Sequence, residues 1–155
     1  MSNITAEELL KRYNMEGHVE NGSFSEHHYV SLELGRPASG SIYYYVAPGE
    51  VTKFHYIDCD EYWCYVAGSP LELCQISPDG EITSSMLGIE PGCDPLIYFK
   101  KGVKFASRHP KEEQEGTFLI CITVPRFSSD GFTLCNDEDI IKDHPELKDF
   151  FTLPY

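Results

Sequence analysis

The chain has 155 residues, a formal net charge of −13 and a pI near 4.7. That length suits one domain with a proper hydrophobic core and is short for two, so residues 1–155 read as a single domain with a strand-rich core over about 24–134. The acidic balance repels a phosphate backbone and the one basic cluster, Lys100, Lys101 and Lys104, is small, so no nucleic-acid partner is expected. No apolar run approaches the ~20 residues of a bilayer span. The opening MSNITAEELLKRY has neither the apolar centre of a signal peptide nor the acid-poor make-up of a transit peptide. A cytoplasmic or nuclear protein without membrane contact is the expectation.

In chain order, Thr5 with Glu8 fits an N-cap and capping box, and Leu9, Leu10 and Tyr13 give an apolar side, which predicts a helix over about 6–13. From 24 to 134 the pattern is strands: SIYYYVA, VTKFHYI, EYWCYVAG, LELCQIS, EITSSML, LIYFKK, KFASRH, TFLICITV and GFTL, parted by turn signals such as APGE, AGSP and SPDGE. Many short, closely spaced strands predict an antiparallel sandwich or barrel. Beyond 136, Asn136 or Asp137 can cap a helix holding Ile140 and Ile141, and Pro145 opens a second short segment. The tail FFTLPY is too aromatic for a solvated linker and is expected to pack on the domain or on a partner subunit.

Six cysteines are present, but Cys64, Cys74 and Cys121 lie in apolar runs and no CxxC pair occurs, so reduced thiols are expected rather than disulfides or structural zinc.

The stretch Gly49–Gly68, GEVTKFHYIDCDEYWCYVAG, carries the candidate chemistry. Residues two apart on a strand share a face, which groups Glu61, Trp63 and Tyr65, and separately Lys53, His55 and Ile57. If the short IDCD connection lays the two strands side by side, His55 and Glu61 enter one cavity with Trp63 and Tyr65 as its wall. Such a pair can exchange a proton, bind a polar ligand or simply satisfy each other. Tyr43, Tyr44 and Tyr45 read mostly as strand wall, with one or two of them, Tyr43 first, able to offer a hydroxyl to the cavity, and Arg108 can receive a phosphate or carboxylate or pair with the acidic loop after it. His27 and His28, adjacent on a strand, face opposite ways and cannot share one ion. HPKEEQEG reads as an exposed turn that includes His109.

The glycine, His55, Glu61 and second-glycine spacing resembles the first motif of the cupin superfamily, with Ile57 where that motif has a second histidine. The segment Lys100–Phe105 matches the second motif with Phe105 in the place of its histidine. Two of four expected ligands remain, so no metal cofactor is expected. Within the superfamily the chain is similar to the DUF985 or Cupin_5 family. The resemblance is carried by His18-Val19-Glu20-Asn21-Gly22-Ser23-Phe24, by Ser41–Tyr44, by His55 through Leu71, by Pro78-Asp79-Gly80 and by Val124-Pro125-Arg126-Phe127. It departs from the family pattern at Val19, Asn21, Ser23, Cys64 and Lys100–Lys104.

The resemblance implies a double-stranded β-helix with short terminal helices, a homodimer, and a cavity holding His55, Glu61 and Trp63 with Glu20 and Phe24 near its mouth. The expected function is binding of a small polar metabolite, a carbohydrate or sugar nucleotide, with proton transfer by His55 and Glu61 as in an isomerase or epimerase. Two alternatives stand beside it: a non-catalytic ligand-binding module, and a metal-dependent enzyme with an atypical ligand set.

Overall fold

The computed structural model describes residues 4–30, 35–112 and 115–152, without the side chains of 28–30. Helix α1 (Ala6–Arg12) starts where expected, with Thr5 and Glu8 closing a reciprocal capping box. Eleven strands are named among the described residues: β1 (Glu16–Gly17), β2 (Ser23–Val30), β3 (Ser39–Val46), β4 (His55–Ile57), β5 (Asp60–Gly68), β6 (Leu71–Ile76), β7 (Ile82–Leu87), β8 (Leu96–Phe99), β9 (Lys104–Arg108), β10 (Thr117–Val124) and β11 (Phe132–Leu134). Helix α2 (Asp137–Asp143), capped by the Asn136 side chain, and a 3₁₀ segment Pro145–Phe150 follow. Strand β2, SFSEHHYV, carries His27 and His28 on adjacent positions, as read from the sequence, although it is too polar to stand out among the apolar runs.

The strands form two antiparallel sheets, in the orders β1-β2-β3-β10-β5-β8 and β11-β4-β9-β6-β7. The IDCD connection therefore does not lay β4 beside β5. It carries the chain from one sheet to the other, so His55 and Glu61 reach the interior from opposite sheets. The segment before β4 is not a strand either. Lys53 is exposed while Phe54 and His55 are both buried, which breaks the alternation read over VTKFHYI.

Strand parity then sorts the core. Between the sheets lie Tyr44, Val46, Trp63, Leu71, Leu73, Ile97, Phe99, Phe105 and Leu119. Tyr45 and Phe118 face the other way, under Ala6 and Leu9 of α1, and Cys74, Ile76 and Ala106 turn out under Ile140, Leu147 and Phe150. Each terminal helical segment thus covers the outer face of one sheet, and the space between the sheets is left for a core at one end and a cavity at the other. Gly68, the second motif glycine, has φ +101°, and a Cβ there would lie 1.8 Å from Gly116 O. Only glycine lets β5 approach the start of β10 so closely. All six cysteines are free thiols. Among the described residues no helix is long and apolar enough to cross a membrane.

Candidate functional site

A cavity of about 320 Å³ opens between the sheets, a size suited to a small metabolite. Its buried histidine and glutamate side chains come from three places in the chain. His55 enters from β4, Glu61 from β5, and Glu20 from the loop joining β1 to β2. That loop is tightly held: His18 N–H donates to Gly22 O, Asn21 N–H to His18 O, and Lys53 N–H to Glu20 O. Gly22, at φ +79°, has the Tyr44 hydroxyl 2.5 Å from where a Cβ would stand, so a larger residue would push the loop off the cavity. The Tyr44 hydroxyl donates to Asn21 O at 2.7 Å, fixing the turn from the cavity side.

His55 is buried and lies between the rings of Phe105 (centroids 4.3 Å) and Phe132 (5.3 Å, stacked). Its Nδ1 points its N–H at Lys53 O, 3.0 Å away, and lies 2.7 Å from Glu20 Oε2. The carboxylate contact is electrostatic, since the N–H axis is given to Lys53 and Oε2 receives no directed hydrogen bond within the described residues. Burial works against charging His55, but Glu20 first, then Lys53 O and Glu61, outweigh it and raise its pKa above the ordinary value. Glu61 Oε1 accepts the Trp63 indole N–H at 2.9 Å. Burial pushes the Glu61 carboxyl up to about 7, against the opposing pull of His55 and of the Trp63 donor. Glu61 titrates near neutrality and the His55 pKa is raised, so the cavity holds two buried groups of opposite charge type that can each carry a proton.

Of the residues nominated from the sequence, the structure brings Glu20, Phe24, His55 and Glu61 together on the cavity wall. Four others are placed elsewhere. Trp63 is wholly buried in the core and touches the site through Glu61. Tyr65 packs at the edge of that core and donates its hydroxyl to Gly68 O. Tyr43 has the wrong parity: it stacks at 4.1 Å on Tyr13, the C-cap of α1, and its neighbours Ile42 and Tyr44 line the cavity instead. Arg108 lies on the outer face of the other sheet, where it pairs with Glu72 at 2.7 Å, donates to Asp149 O and covers the Phe150 ring.

His109, read as part of an exposed turn, is fully buried with Nε2 2.9 Å from Thr117 Oγ1. His27 is exposed at the rim beside Ser41, and the side chain of His28 lies outside the described residues. The sequence reading missed His18, Cys121 and Thr123 on the wall and Arg126 at the mouth. His18 and Arg126 do stand in two of the family-like segments, which was the available signal.

The usual cupin metal centre does not fit these donors. Ile57 lines the cavity, Phe105 packs its ring on His55, and among the described residues no group of three or more His, Cys, Asp or Glu side chains is arranged to hold a metal ion.

Two antiparallel sheets with a ligand-sized cavity between them, entered by a motif histidine and a motif glutamate, define a cupin. The chain belongs to the cupin superfamily family DUF985, whose model matches residues 7–135. A Shewanella oneidensis protein known from its crystal structure is similar over 94% of both chains, at 30% identity and a TM-score of 0.85. A hypothetical protein from Leishmania major is similar at 26% identity over 92% of this chain and 94% of its own, with a TM-score of 0.78. The oxalate decarboxylase of Bacillus subtilis shares the fold alone, at 17% identity and a TM-score of 0.60 over 91% of this chain and 37% of that one. No curated protein matches the sequence.

Proposed function

We propose that the cavity binds a small polar metabolite of carbohydrate type without a metal and moves a proton on it, as in isomerisation or epimerisation. The observation that carries this reading is His55 held at Nδ1 between Glu20 and Lys53 O, with Glu61 buried on the facing sheet and titrating at about 7. His55 serves as general acid or base, Lys53 O fixes its tautomer, Glu20 supports its charge, and Glu61 is the second proton-carrying group. The apolar remainder of the wall, including Phe24, Ile42 and Phe132, seats the ligand body and excludes water.

The test is proton exchange in D2O over a panel of aldoses, ketoses and nucleotide sugars, read by NMR. The wild type is expected to place deuterium beside the carbonyl of its substrate, and His55→Gln to slow this by about 10²–10⁴-fold. Ligand binding without exchange on any member of the panel would move the protein to the non-catalytic reading. In that case His55→Gln weakens affinity about ten- to a hundredfold through the lost hydrogen bond to a charged group.

We also propose a homodimer through the outer face of β5, β8 and β10, where Tyr62, Val66, Leu96, Tyr98 and Val124 stand exposed together on one side of the larger sheet. An edge strand and an apolar face are liabilities that association covers. Light scattering should give twice the 17.6 kDa chain mass, and Tyr62→Glu with Leu96→Glu should return it to one. A wild type already of single-chain mass at micromolar concentration refutes the dimer.

A further inference from the structure

We propose that the ligand of this cavity carries an anionic group, a phosphate or a carboxylate, and that Arg126 takes it at the mouth in exchange for Glu26. The inference rests on the metabolite-binding reading above and names the class of ligand. Three observations support it.

Arg126 is held in place by contacts other than its guanidinium. Its N–H donates to Pro37 O at 3.0 Å, its carbonyl accepts from Arg36 Nε at 2.6 Å, and its stem lies over Gly40, where a Cβ would meet Arg126 Cγ at 2.7 Å. A glycine in β3 thus makes the bed on which the arginine reaches the cavity.

The carboxylate of Glu26, which Arg126 meets at the mouth, is replaceable. Arg126 Nη2 lies 2.9 Å from Glu26 Oε1, and the Glu26 side chain is 70% exposed. Such a pair holds its partner weakly, whereas a phosphate or ligand carboxylate offers the guanidinium a bidentate match.

The position is basic on an otherwise acidic chain. On a molecule of net charge −13, two of the four arginines, Arg36 and Arg126, border the same shallow depression beside Ser128 and Ser129. Arg36 is held there by both oxygens of Asp58 at 3.0 Å, which leaves Arg126, the one that also borders the cavity, to meet a ligand. The cavity interior offers the opposite chemistry, with Glu20 and Glu61 ready to accept from hydroxyls. A ligand with hydroxyls at one end and an anionic group at the other fits both.

The experiment is titration calorimetry of the full chain with inorganic phosphate, glucose 6-phosphate, glucuronate and glucose. Phosphate should bind in the millimolar range and more weakly as salt rises. Glucose 6-phosphate or glucuronate should bind at least tenfold tighter than glucose, and which of the two binds tighter identifies the anion. Arg126→Gln should raise the phosphate dissociation constant at least tenfold. Glu26→Gln should lower it severalfold by removing a competing carboxylate, and Arg108→Gln, on the far face, should leave it unchanged. The opposite responses at Arg126 and Glu26 are not expected of a variant that merely disturbs the fold.

Equal phosphate affinity in the wild type and Arg126→Gln, or no saturable binding of any of the three anions to the wild type, overturns the inference. If glucose binds as tightly as its anionic relatives and depends on His55 but not Arg126, the inference falls while the proposed function stands. If anion binding depends on Arg126 but no sugar exchanges a proton, the inference stands and the catalytic reading falls.

Discussion

Glu61→Gln is expected to make the protein more stable above pH 7, by about 2–3 kcal/mol, while removing one of the two groups proposed to carry a proton. The folded-state pKa of Glu61 is raised to about 7 from an ordinary value of 4.5, because the buried carboxyl is easier to keep neutral than charged. A carboxyl raised in this way favours folding fully below pH 4.5 and loses that contribution as pH climbs through 7. The full linkage over that interval is roughly 3 kcal/mol, and part of it returns when His55 loses a neighbouring charge.

The substituted amide would retain a carbonyl for the Trp63 N–H and would not titrate. The variant and the wild type should therefore match near pH 4 and separate as pH rises, which urea denaturation at pH 4, 6 and 8 would detect. A gap that is constant with pH, or a variant less stable at pH 8, would remove Glu61 from the list of strained groups. Retention of a carboxylate that costs stability supports the role proposed for Glu61, since stability and activity compete at functional positions.

The sequence carried the outline of this site but not its parity. The glycine, histidine and glutamate spacing of Gly49–Gly68 located His55 and Glu61, because two backbone constraints and two inward side chains leave a mark in one dimension. Tyr43, Tyr44 and Tyr45 left none. Three identical residues give no polar–apolar contrast, so nothing in the string says which faces the cavity. The fold settles it through α1, whose packing claims Tyr43 and Tyr45 and leaves Tyr44 inside. The choice of arginine was illegible for a different reason. Arg108 lies at the end of a strand whose neighbours decide its face, and Glu72 on β6 draws it outward. Arg126 follows the end of β10, where strand alternation no longer applies and only the path of the turn brings it to the mouth. His55 and Glu61 were read onto adjacent strands because a short connection usually joins neighbours. Here it crosses between sheets, and that crossing is what lets the two groups approach the cavity from opposite sides.

His109 is expected to set the acid limit of stability. It is fully buried, donates from Nε2 to Thr117 Oγ1, and has no hydrogen-bond partner at Nδ1 within the described residues. The Thr117 hydroxyl is committed as a donor to Ser69 O, so it can only accept from the imidazole. Charging the ring would add a proton at Nδ1 with nothing to receive it, and burial lowers the pKa to about 4 from an ordinary 6.5. The unfolded chain binds this proton through the interval from pH 6.5 to 4 and the folded chain does not, so stability falls as pH falls. The loss is roughly 3 kcal/mol by pH 4. It runs opposite to Glu61, which regains stability over much of the same range, so the wild type should show a shallow pH dependence between about 4.5 and 6.5. His109→Gln keeps a donor for Thr117 and cannot titrate there. Relative to the wild type, it should gain about 3 kcal/mol on going from pH 7 to pH 4, whatever its stability at pH 7. In the Glu61→Gln background the wild-type His109 should then impose a steep, uncompensated acid slope. Parallel pH–stability curves for His109→Gln and the wild type would mean that the imidazole is solvated in solution, and the buried-histidine account would have to be dropped.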